Sequence, residues 1–195
     1  MASDDSRDAR TRIEVEQKFP VADLAEVETR LLALGASISV PRRESDLYFA
    51  HPCRDFAATD EALRLRCSDR GRWITYKGPK IDATTKTRRE IDLALPAEAD
   101  VQGDWVTLLE TLGFRPIAEV VKRRRKAIVA WQGRQIEASL DEVDRVGTFI
   151  ELEIVTSADD LDAARACVAS LAEHLRLSGS ERRSYLELLL QRRGG

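Results

Sequence analysis

The chain has 195 residues, 43% of them hydrophobic, which is enough to bury one sizeable core, so we expect a single domain. Its formal net charge of −3 argues against a general nucleic-acid binder, because such a protein needs an excess of Lys and Arg on one face. The N-terminus is polar, and no apolar stretch approaches the roughly 20 residues of a membrane helix. The sequence therefore predicts a cytoplasmic protein that binds neither DNA nor a membrane.

The first ordered elements are predicted to be a strand and a helix. Residues 1–11 are polar, and we expect them to form a disordered lead. Residues 12–19 alternate apolar and polar side chains and stop at Pro20, which is typical of a half-buried strand. Asp23 is a candidate N-cap for an amphipathic helix that Gly35 is placed to end.

Further strands and helices follow along the chain. Strand periodicity predicts strands at residues 46–49, 63–67, 73–77, 87–95, 117–130, 134–141 and 148–155. Helices are predicted around Trp105–Leu112, from Asp159 to about Leu175, and from Ser180 to Arg192. Because about eight strands occur without a repeated βαβ alternation, an α+β fold with a largely antiparallel sheet is favoured.

Charged residues recur at every second position on many of these strands, a spacing that places them on one face. They are Glu14, Glu16 and Lys18; Arg64 and Arg66; Arg88, Glu90 and Asp92; Lys122 and Arg124; and Glu151 and Glu153, with Lys77 and Asp141 at the polar ends of their strands. On one strand, a solvated face is the commoner explanation. If all the faces converge inside a curved sheet, that interior requires water, ions or a charged ligand, because dry unpaired charges are too costly.

These residue types favour a divalent cation and a polyphosphate. Carboxylate oxygens select hard cations such as Mg²⁺ or Mn²⁺, and the two His and three Cys residues are too widely spaced to indicate zinc. Arg offers a planar fork to phosphate oxygens and Lys a point charge, so several of them around one cavity suggest a polyphosphate. Such a cage can catalyse phosphoryl transfer by positioning and electrostatic stabilisation.

The same residues resemble the pattern of a known family. In order, the chain contains Glu14-x-Glu16-x-Lys18, Arg64-x-Arg66, Lys77-Gly78-Pro79, Arg88-x-Glu90, Lys122-x-Arg124, Asp141, Glu151-x-Glu153 and Arg183-Ser184-Tyr185. This pattern is similar to that of the CYTH superfamily, which joins class IV adenylate cyclases with thiamine triphosphatases and inorganic tripolyphosphatases. The segments Asp46–Phe49 and Arg54–Arg66 look most like the class IV cyclase branch.

The resemblance implies a closed eight-stranded antiparallel β-barrel, a triphosphate tunnel with flanking helices, formed by one CYTH domain over residues 12–192. It implies that one or two Mg²⁺ or Mn²⁺ ions are held by Glu14, Glu16, Asp141, Glu151 and Glu153. It implies that the triphosphate is held by Lys18, Arg64, Arg66, Lys77, Lys122 and Arg124, with Arg88 and Glu90 in the same wall. The catalytic residues would be Glu14, Glu16, Lys18, Lys122 and Arg124, and a homodimer is compatible with the resemblance.

Three functions stay open at this point. The favoured one is an adenylate cyclase that makes cyclic AMP and pyrophosphate from ATP. The second is a triphosphatase that hydrolyses thiamine triphosphate or inorganic tripolyphosphate. The third is a non-catalytic module that binds nucleotide, polyphosphate or RNA ends, which so many carboxylates disfavour unless metals neutralise them.

Two aromatic features have ordinary structural explanations. Trp73, Trp105 and Trp131 could stack on a base or thiazolium, but such residues more often belong to a core or an edge. Tyr185, with the apolar stripe Leu186, Leu189 and Leu190, predicts a helix packed on the outside of the barrel or on a second subunit.

Overall fold

The computed structural model describes residues 13–80, 88–96 and 101–193. Within these ranges, nine strands form one antiparallel sheet with helices against it. The strands are β1 (Ile13–Pro20), β2 (Ser37–Ile38), β3 (Arg42–Ala50), β4 (Ala62–Ser68), β5 (Gly71–Lys80), β6 (Arg88–Leu95), β7 (Arg115–Trp131), β8 (Arg134–Val143) and β9 (Gly147–Thr156). The α-helices are α1 (Leu24–Ala33), α2 (Phe56–Thr59), α3 (Val101–Thr111), α4 (Leu161–His174) and α5 (Tyr185–Arg193). The predicted lead lies outside the described residues.

The sheet is curled but not closed. Its strand order is β1-β9-β8-β7-β3-β4-β5-β6, and the short β2 pairs with β7. No ladder joins β1 to β6 among the described strands, although Glu90 and Asp92 of β6 lie near enough to raise the pKa of Glu14 on β1. The predicted α+β fold with a curled antiparallel sheet is confirmed, although the predicted full closure of the barrel was overstated. Like charges facing each other across the seam disfavour strand pairing there.

The first helix follows the sequence signals. Pro20 ends β1, and the Asp23 side chain accepts a hydrogen bond from the Ala25 N–H at 2.8 Å, which caps α1. Beyond the helix, Gly35 has a φ of 78°, a left-handed conformation that glycine adopts at little cost. The chain then returns to the sheet through β2.

The start of α4 differs from the prediction. Asp159 lies in a 3₁₀ turn, Ala158–Asp160, and the helix begins at Leu161. Asp160 occupies the N-cap position but makes no side-chain cap bond. Its carboxylate instead binds Arg134 at 2.5 and 2.7 Å, and this ion pair ties the helix start to β8.

The last helix is shorter than predicted. The segment expected to begin at Ser180 becomes helical only at Tyr185. Ser184 and Glu187 form a reciprocal capping box there: the Ser184 hydroxyl accepts from the Glu187 N–H at 3.1 Å, and Glu187 accepts from the Ser184 N–H at 2.6 Å. This S-x-x-E signal sets the first turn of α5.

Helices α1 to α4 cover the outer face of the curled sheet, and charged side chains lie on its inner face. Helices α1 and α4 pack against β1, β8 and β9, where Val15 and Ile150 are fully buried. Helices α2 and α3 cover β4 and β5 around Leu65. Because side chains alternate along a strand, Glu14 and Glu16, on either side of Val15, point the other way. No helix in the described ranges is long and apolar enough to cross a membrane.

Candidate active site

The inner face of the sheet encloses a cavity of about 560 Å³. More carboxylates than cationic side chains line it among the described residues. Eleven of the residues predicted from the sequence take part, namely Glu14, Glu16, Lys18, Arg64, Arg66, Lys77, Glu90, Lys122, Arg124, Glu151 and Glu153. The charged faces of separate strands therefore meet in one space.

A buried carboxylate, Asp46 on β3, organises part of the cationic wall. It is 1% exposed and binds Arg66 through two contacts of 2.6 and 2.8 Å and Arg64 at 3.3 Å. Lys122 Nζ lies 3.2 Å from Glu44 and 3.9 Å from Asp46. Burial would raise the pKa of Asp46, but these three cations hold it well below its usual value. Asp46 therefore stays charged and fixes both guanidinium groups.

One donor in this wall is left without an acceptor. The Nε atom of Arg64 is buried and finds no hydrogen-bond acceptor among the described residues. A buried donor without a partner is costly, and an anionic oxygen in the cavity would relieve that cost. The pKa of Arg64 is raised, since Asp46 and Tyr48 outweigh the effect of burial, so the group stays cationic.

A second network surrounds Arg124 on β7. Its guanidinium binds Asp141 at 2.7 and 2.5 Å and Glu151 at 2.5 Å, and the Tyr185 hydroxyl donates to the same Asp141 carboxylate at 2.8 Å. Asp141 is fully buried and does not line the cavity. In this structure both of its oxygens accept hydrogen bonds from Arg124 or Tyr185. Its role as a metal ligand stays a prediction.

The remaining carboxylates form an acidic cluster on β1, β8 and β9. Glu153 lies opposite both Glu16 and Glu137 in the sheet register. Burial, followed by repulsion from Glu14, Glu16 and Glu137, raises the pKa of Glu153 to about 8. Burial and Glu90 raise the pKa of Glu14 as well. The cluster holds negative charge in excess of what its neighbours neutralise.

The acidic cluster fits a hard divalent cation in chemistry. Its donors are all carboxylate oxygens, which Mg²⁺ and Mn²⁺ prefer, and a cation would relieve the repulsion that raises these pKa values. No three of the described Asp, Glu, His or Cys side chains are already grouped to hold one ion. The donor set therefore fits, while the final arrangement of ligands requires the carboxylates to move toward the ion.

Comparison with known proteins identifies the family. The CYTH domain model matches residues 12–185. The chain belongs to the CYTH family. It is similar to "Putative adenylate cyclase MJ0240" of Methanocaldococcus jannaschii, with 35% identity over 179 residues that cover 90% of this chain and 98% of the relative.

Solved structures share the CYTH fold with this chain. The PH1819 protein of Pyrococcus horikoshii has 38% identity and a TM-score of 0.79, with 92% of this chain and 99% of that chain covered. The protein called "Putative adenylyl cyclase HpAC1" from Hippeastrum, described as having a dominant triphosphatase activity, has 15% identity and a TM-score of 0.63, with 92% and 95% covered. At 15% identity, this second likeness concerns the fold alone.

Two sequence-predicted residues of this CYTH chain stand apart from the others. Asp141 is buried behind the cavity wall, as described above. Arg88 begins β6, but its side chain lies outside the part of the chain that the structure describes. The neighbouring Glu90 is paired with Lys77, directly opposite it on β5.

Sequence reasoning missed several residues that line the cavity of this CYTH chain, including Glu44, Asp46, Tyr48 and Glu137. Glu44, Asp46 and Tyr48 follow the i, i+2 spacing on β3. The predicted strand began only at Asp46, whereas the observed strand begins at Arg42. On β8, the residues at this spacing from Glu137 are Gln135 and Ser139, and both are neutral. Glu137 therefore belongs to no comparable charged pattern.

The aromatic residues also depart in part from expectation. Trp73 lines the cavity, whereas Trp105, on α3, packs against the core around Leu65. Trp131 lies against His174 with ring centroids 4.7 Å apart. The expectation that α5 packs its Tyr185 stripe on the outside of the barrel was wrong, because Tyr185 and Leu186 line the cavity, while packing on a second subunit stays a prediction. The capping box turns the first residues of α5 inward.

Proposed function

We propose that this CYTH protein is a metal-dependent adenylate cyclase that converts ATP into cyclic AMP and pyrophosphate. The observation that carries the proposal is the meeting of a cationic wall, a carboxylate cluster and apolar side chains in one cavity. The relative named "Putative adenylate cyclase MJ0240", matched over nearly its whole length at 35% identity, supports the same activity. The cavity volume of about 560 Å³ is in the range of roughly 300–1,000 Å³ typical of sites for drug-sized ligands.

The cationic wall is proposed to hold the triphosphate. The cations that line the cavity come from four strands: Arg64 and Arg66 from β4, Lys77 from β5, Lys122 and Arg124 from β7, and Lys18 from β1. Several of these cations form ion pairs with carboxylates in this structure. Phosphate oxygens would replace those carboxylates or bind the same cations beside them. Because the donors are fixed in a partly dry site, they stabilise charge that develops on the phosphate chain more strongly than water would.

The acidic cluster is proposed to hold Mg²⁺ or Mn²⁺ through Glu14, Glu16 and Glu153, with Glu151 of the neighbouring Arg124 network as a further ligand. A bound divalent ion would offset phosphate charge and act as a Lewis acid at the reacting phosphate. The carboxylates of this chain would position it, and their own repulsion would fall as it binds. Without such neutralisation, the excess of carboxylates in the cavity would repel a triphosphate.

Apolar side chains beyond the phosphate cage are proposed to hold the nucleoside. Ile117 and Leu190, which are 38% and 39% exposed, line the cavity together with Trp73. A bare triphosphate has no apolar surface for these groups to cover, whereas a base and ribose do. Holding the ribose beside the cage would place its 3′-oxygen for attack on the α-phosphorus with pyrophosphate leaving.

The second candidate is a triphosphatase acting on thiamine triphosphate or tripolyphosphate. The same cage serves hydrolysis if water, instead of the ribose oxygen, attacks the terminal phosphorus. The Hippeastrum protein, which has the same fold, is described as having a dominant triphosphatase activity, and this supports the alternative.

Product analysis tests the proposal. The purified protein is incubated with ATP, tripolyphosphate or thiamine triphosphate and with Mg²⁺ or Mn²⁺, and the products are separated by ion-exchange chromatography. Cyclic AMP with an equal amount of pyrophosphate from ATP is the expected result. Release of phosphate alone would rule out the cyclase and support the triphosphatase. Binding without turnover would support the non-catalytic binding module. An Arg66→Ala variant serves as the control that turnover occurs in this cavity.

A further inference from the structure

The ring of Tyr185 lies against two buried lysines of the cavity. Lys18 Nζ is 4.2 Å from the ring centroid and Lys122 Nζ is 5.6 Å from it. Lys18 is 1% exposed and Lys122 is 3% exposed, so both ammonium groups are largely removed from bulk water. A π face attracts an ammonium group without neutralising its charge, and the attraction is largest where water is excluded.

The chain before α5 is tied to β1 so that the ring is held there. Lys18 Nζ donates to the Arg183 carbonyl, and the Glu181 N–H donates to the Lys18 carbonyl at 2.7 Å. The capping box of Ser184 and Glu187 then starts the helix at Tyr185. Backbone bonds and the helix start therefore both fix where Tyr185 enters the cavity.

The hydroxyl group of Tyr185 anchors the end of the ring through a hydrogen bond. It donates to Asp141 at 2.8 Å, and Asp141 is itself held by Arg124. Burial, with the nearby Glu151 and Asp141 carboxylates, raises the pKa of Tyr185 well above its usual value, so the hydroxyl remains a donor. Phe149 packs against the Tyr185 ring with ring centroids 5.2 Å apart, and Lys18 Nζ also lies 5.6 Å from the Phe149 ring centroid.

We propose that Tyr185 is a positioning residue that keeps Lys18 and Lys122 separate, charged and directed at the phosphate chain. This role rests on the proposed function insofar as the cavity takes a triphosphate. A carboxylate in the place of the ring would attract the same lysines but would also compete with phosphate for them and add to the excess negative charge. An aromatic ring stabilises both cations without neutralising them, and for Lys122 this opposes the burial that lowers its pKa.

The test is a binding measurement that does not depend on turnover. The probe is inorganic triphosphate with methylene groups in place of both bridging oxygens, titrated calorimetrically into the protein with saturating Mg²⁺. Tyr185→Met keeps an apolar side chain of similar reach but removes the ring, and we expect affinity to fall roughly 10- to 30-fold. Tyr185→Phe keeps the ring, and we expect it to bind within about threefold of the unaltered protein.

Coupling to Lys18 separates positioning from simple packing. In a Lys18→Met background, we expect Tyr185→Met to weaken binding by only about threefold, since the nearer of the two lysines is already gone. Leu189→Ala, which truncates a buried side chain one helical turn beyond Tyr185 in the same apolar cluster, is the packing control and should leave affinity unchanged. A full effect of Tyr185→Met in both backgrounds, or an equal effect of Leu189→Ala, would overturn the proposal.

The outcomes distinguish this inference from the proposed function. If the unaltered protein does not bind the probe at all, the triphosphate site itself is wrong. If it binds the probe and Tyr185→Met binds equally well, only the role of Tyr185 is wrong. Should Tyr185→Met fail to fold, a weakening by Tyr185→Phe as large as 10-fold would overturn the role of the ring, because that variant retains it.

Discussion

At the scale of single residues, the site depends on charges held in place by other charges. Asp46 contacts Arg64, Arg66 and Lys122 from one buried position, and Asp141 joins Arg124 to Tyr185. Such buried groups contribute little net stability as a set, but loss of one partner leaves the others uncompensated. Removing a carboxylate should therefore affect the fold before any ligand is present.

Replacement of Asp46 tests this dependence. Asp46→Asn should lower the free energy of unfolding by about 3 kcal/mol, because three cations lose their shared counter-ion. Added tripolyphosphate should raise the melting temperature of this variant by more than it raises that of the unaltered protein, because the ligand restores negative charge beside the three cations. Asp162→Asn is the matched control, because its side chain is 98% exposed and its pair with Arg165 lies on the surface. Equal stabilities of the two variants would contradict the assignment.

The raised pKa of Glu153 predicts a pH dependence of stability in the metal-free protein. Its folded pKa of about 8 lies above the ordinary value of 4.5, so the proton on Glu153 stabilises the fold. This contribution is complete below about pH 4.5 and is lost as the pH rises through about 8. The melting temperature of the protein in EDTA should fall over that range, and Glu153→Gln should flatten the fall. The exposed Glu173→Gln should leave the slope as it is, and a slope unaffected by Glu153→Gln would refute the explanation.

At the scale of elements, the start of α5 decides what the end of the chain contributes to the site. The motif S-x-x-E at Ser184 and Glu187 places the first helical residue at Tyr185. A start at Ser180 would have turned different side chains toward the sheet, because each residue advances a helix by 100°. A local capping signal thus determines a contact made deep in the cavity.

Loss of this cap should be measurable. Ser184→Ala should cost about 1 kcal/mol of unfolding free energy and weaken triphosphate binding, since the start of α5 would fray. Ser157→Ala is the matched control, because Ser157 occupies the N-cap position of a 3₁₀ turn without a side-chain cap bond. Chemical denaturation of both variants gives the comparison, and an equal loss in the two would show that the cap at Ser184 contributes nothing specific.

At the scale of the whole molecule, opposite charges share one curled inner face. The acidic cluster and the cationic wall border the same cavity, so a cation in one and an anion in the other should each favour the binding of its counterpart. The open seam between β1 and β6 places Glu14 near Glu90 and Asp92, where a cation would reduce repulsion between strands.

This coupling predicts that ligands stabilise the protein together. Mn²⁺ plus the methylene-bridged triphosphate should raise the melting temperature by more than the sum of the two separate increases, as positive linkage requires. Glu16→Ala should remove the excess and abolish turnover by removing a proposed metal ligand. Glu26→Ala, an exposed change on α1, should preserve both properties. Additive stabilisation in the unaltered protein, or near-normal turnover of Glu16→Ala, would count against the proposed metal site.

Local order determined much of the fold and part of the site. The alternation around Glu14, Glu16 and Lys18 predicts the strand and its charged face, and Asp23 predicts the helix that follows. These inferences hold because strand periodicity and helix capping depend on neighbouring residues. Cytoplasmic location, a homodimer and the identity of the cation remain predictions from the sequence.

Only the tertiary structure decided which charges pair and where the sheet stops closing. Asp46 belongs to the site because β4 and β7 flank β3 and bring three cations to it, a contact between residues distant in sequence. Tyr185 moves from an expected outer stripe to the cavity because backbone bonds to Lys18 draw its segment inward. The alternation of a strand fixes which side chains share a face, but strand order and side-chain packing determine what that face meets.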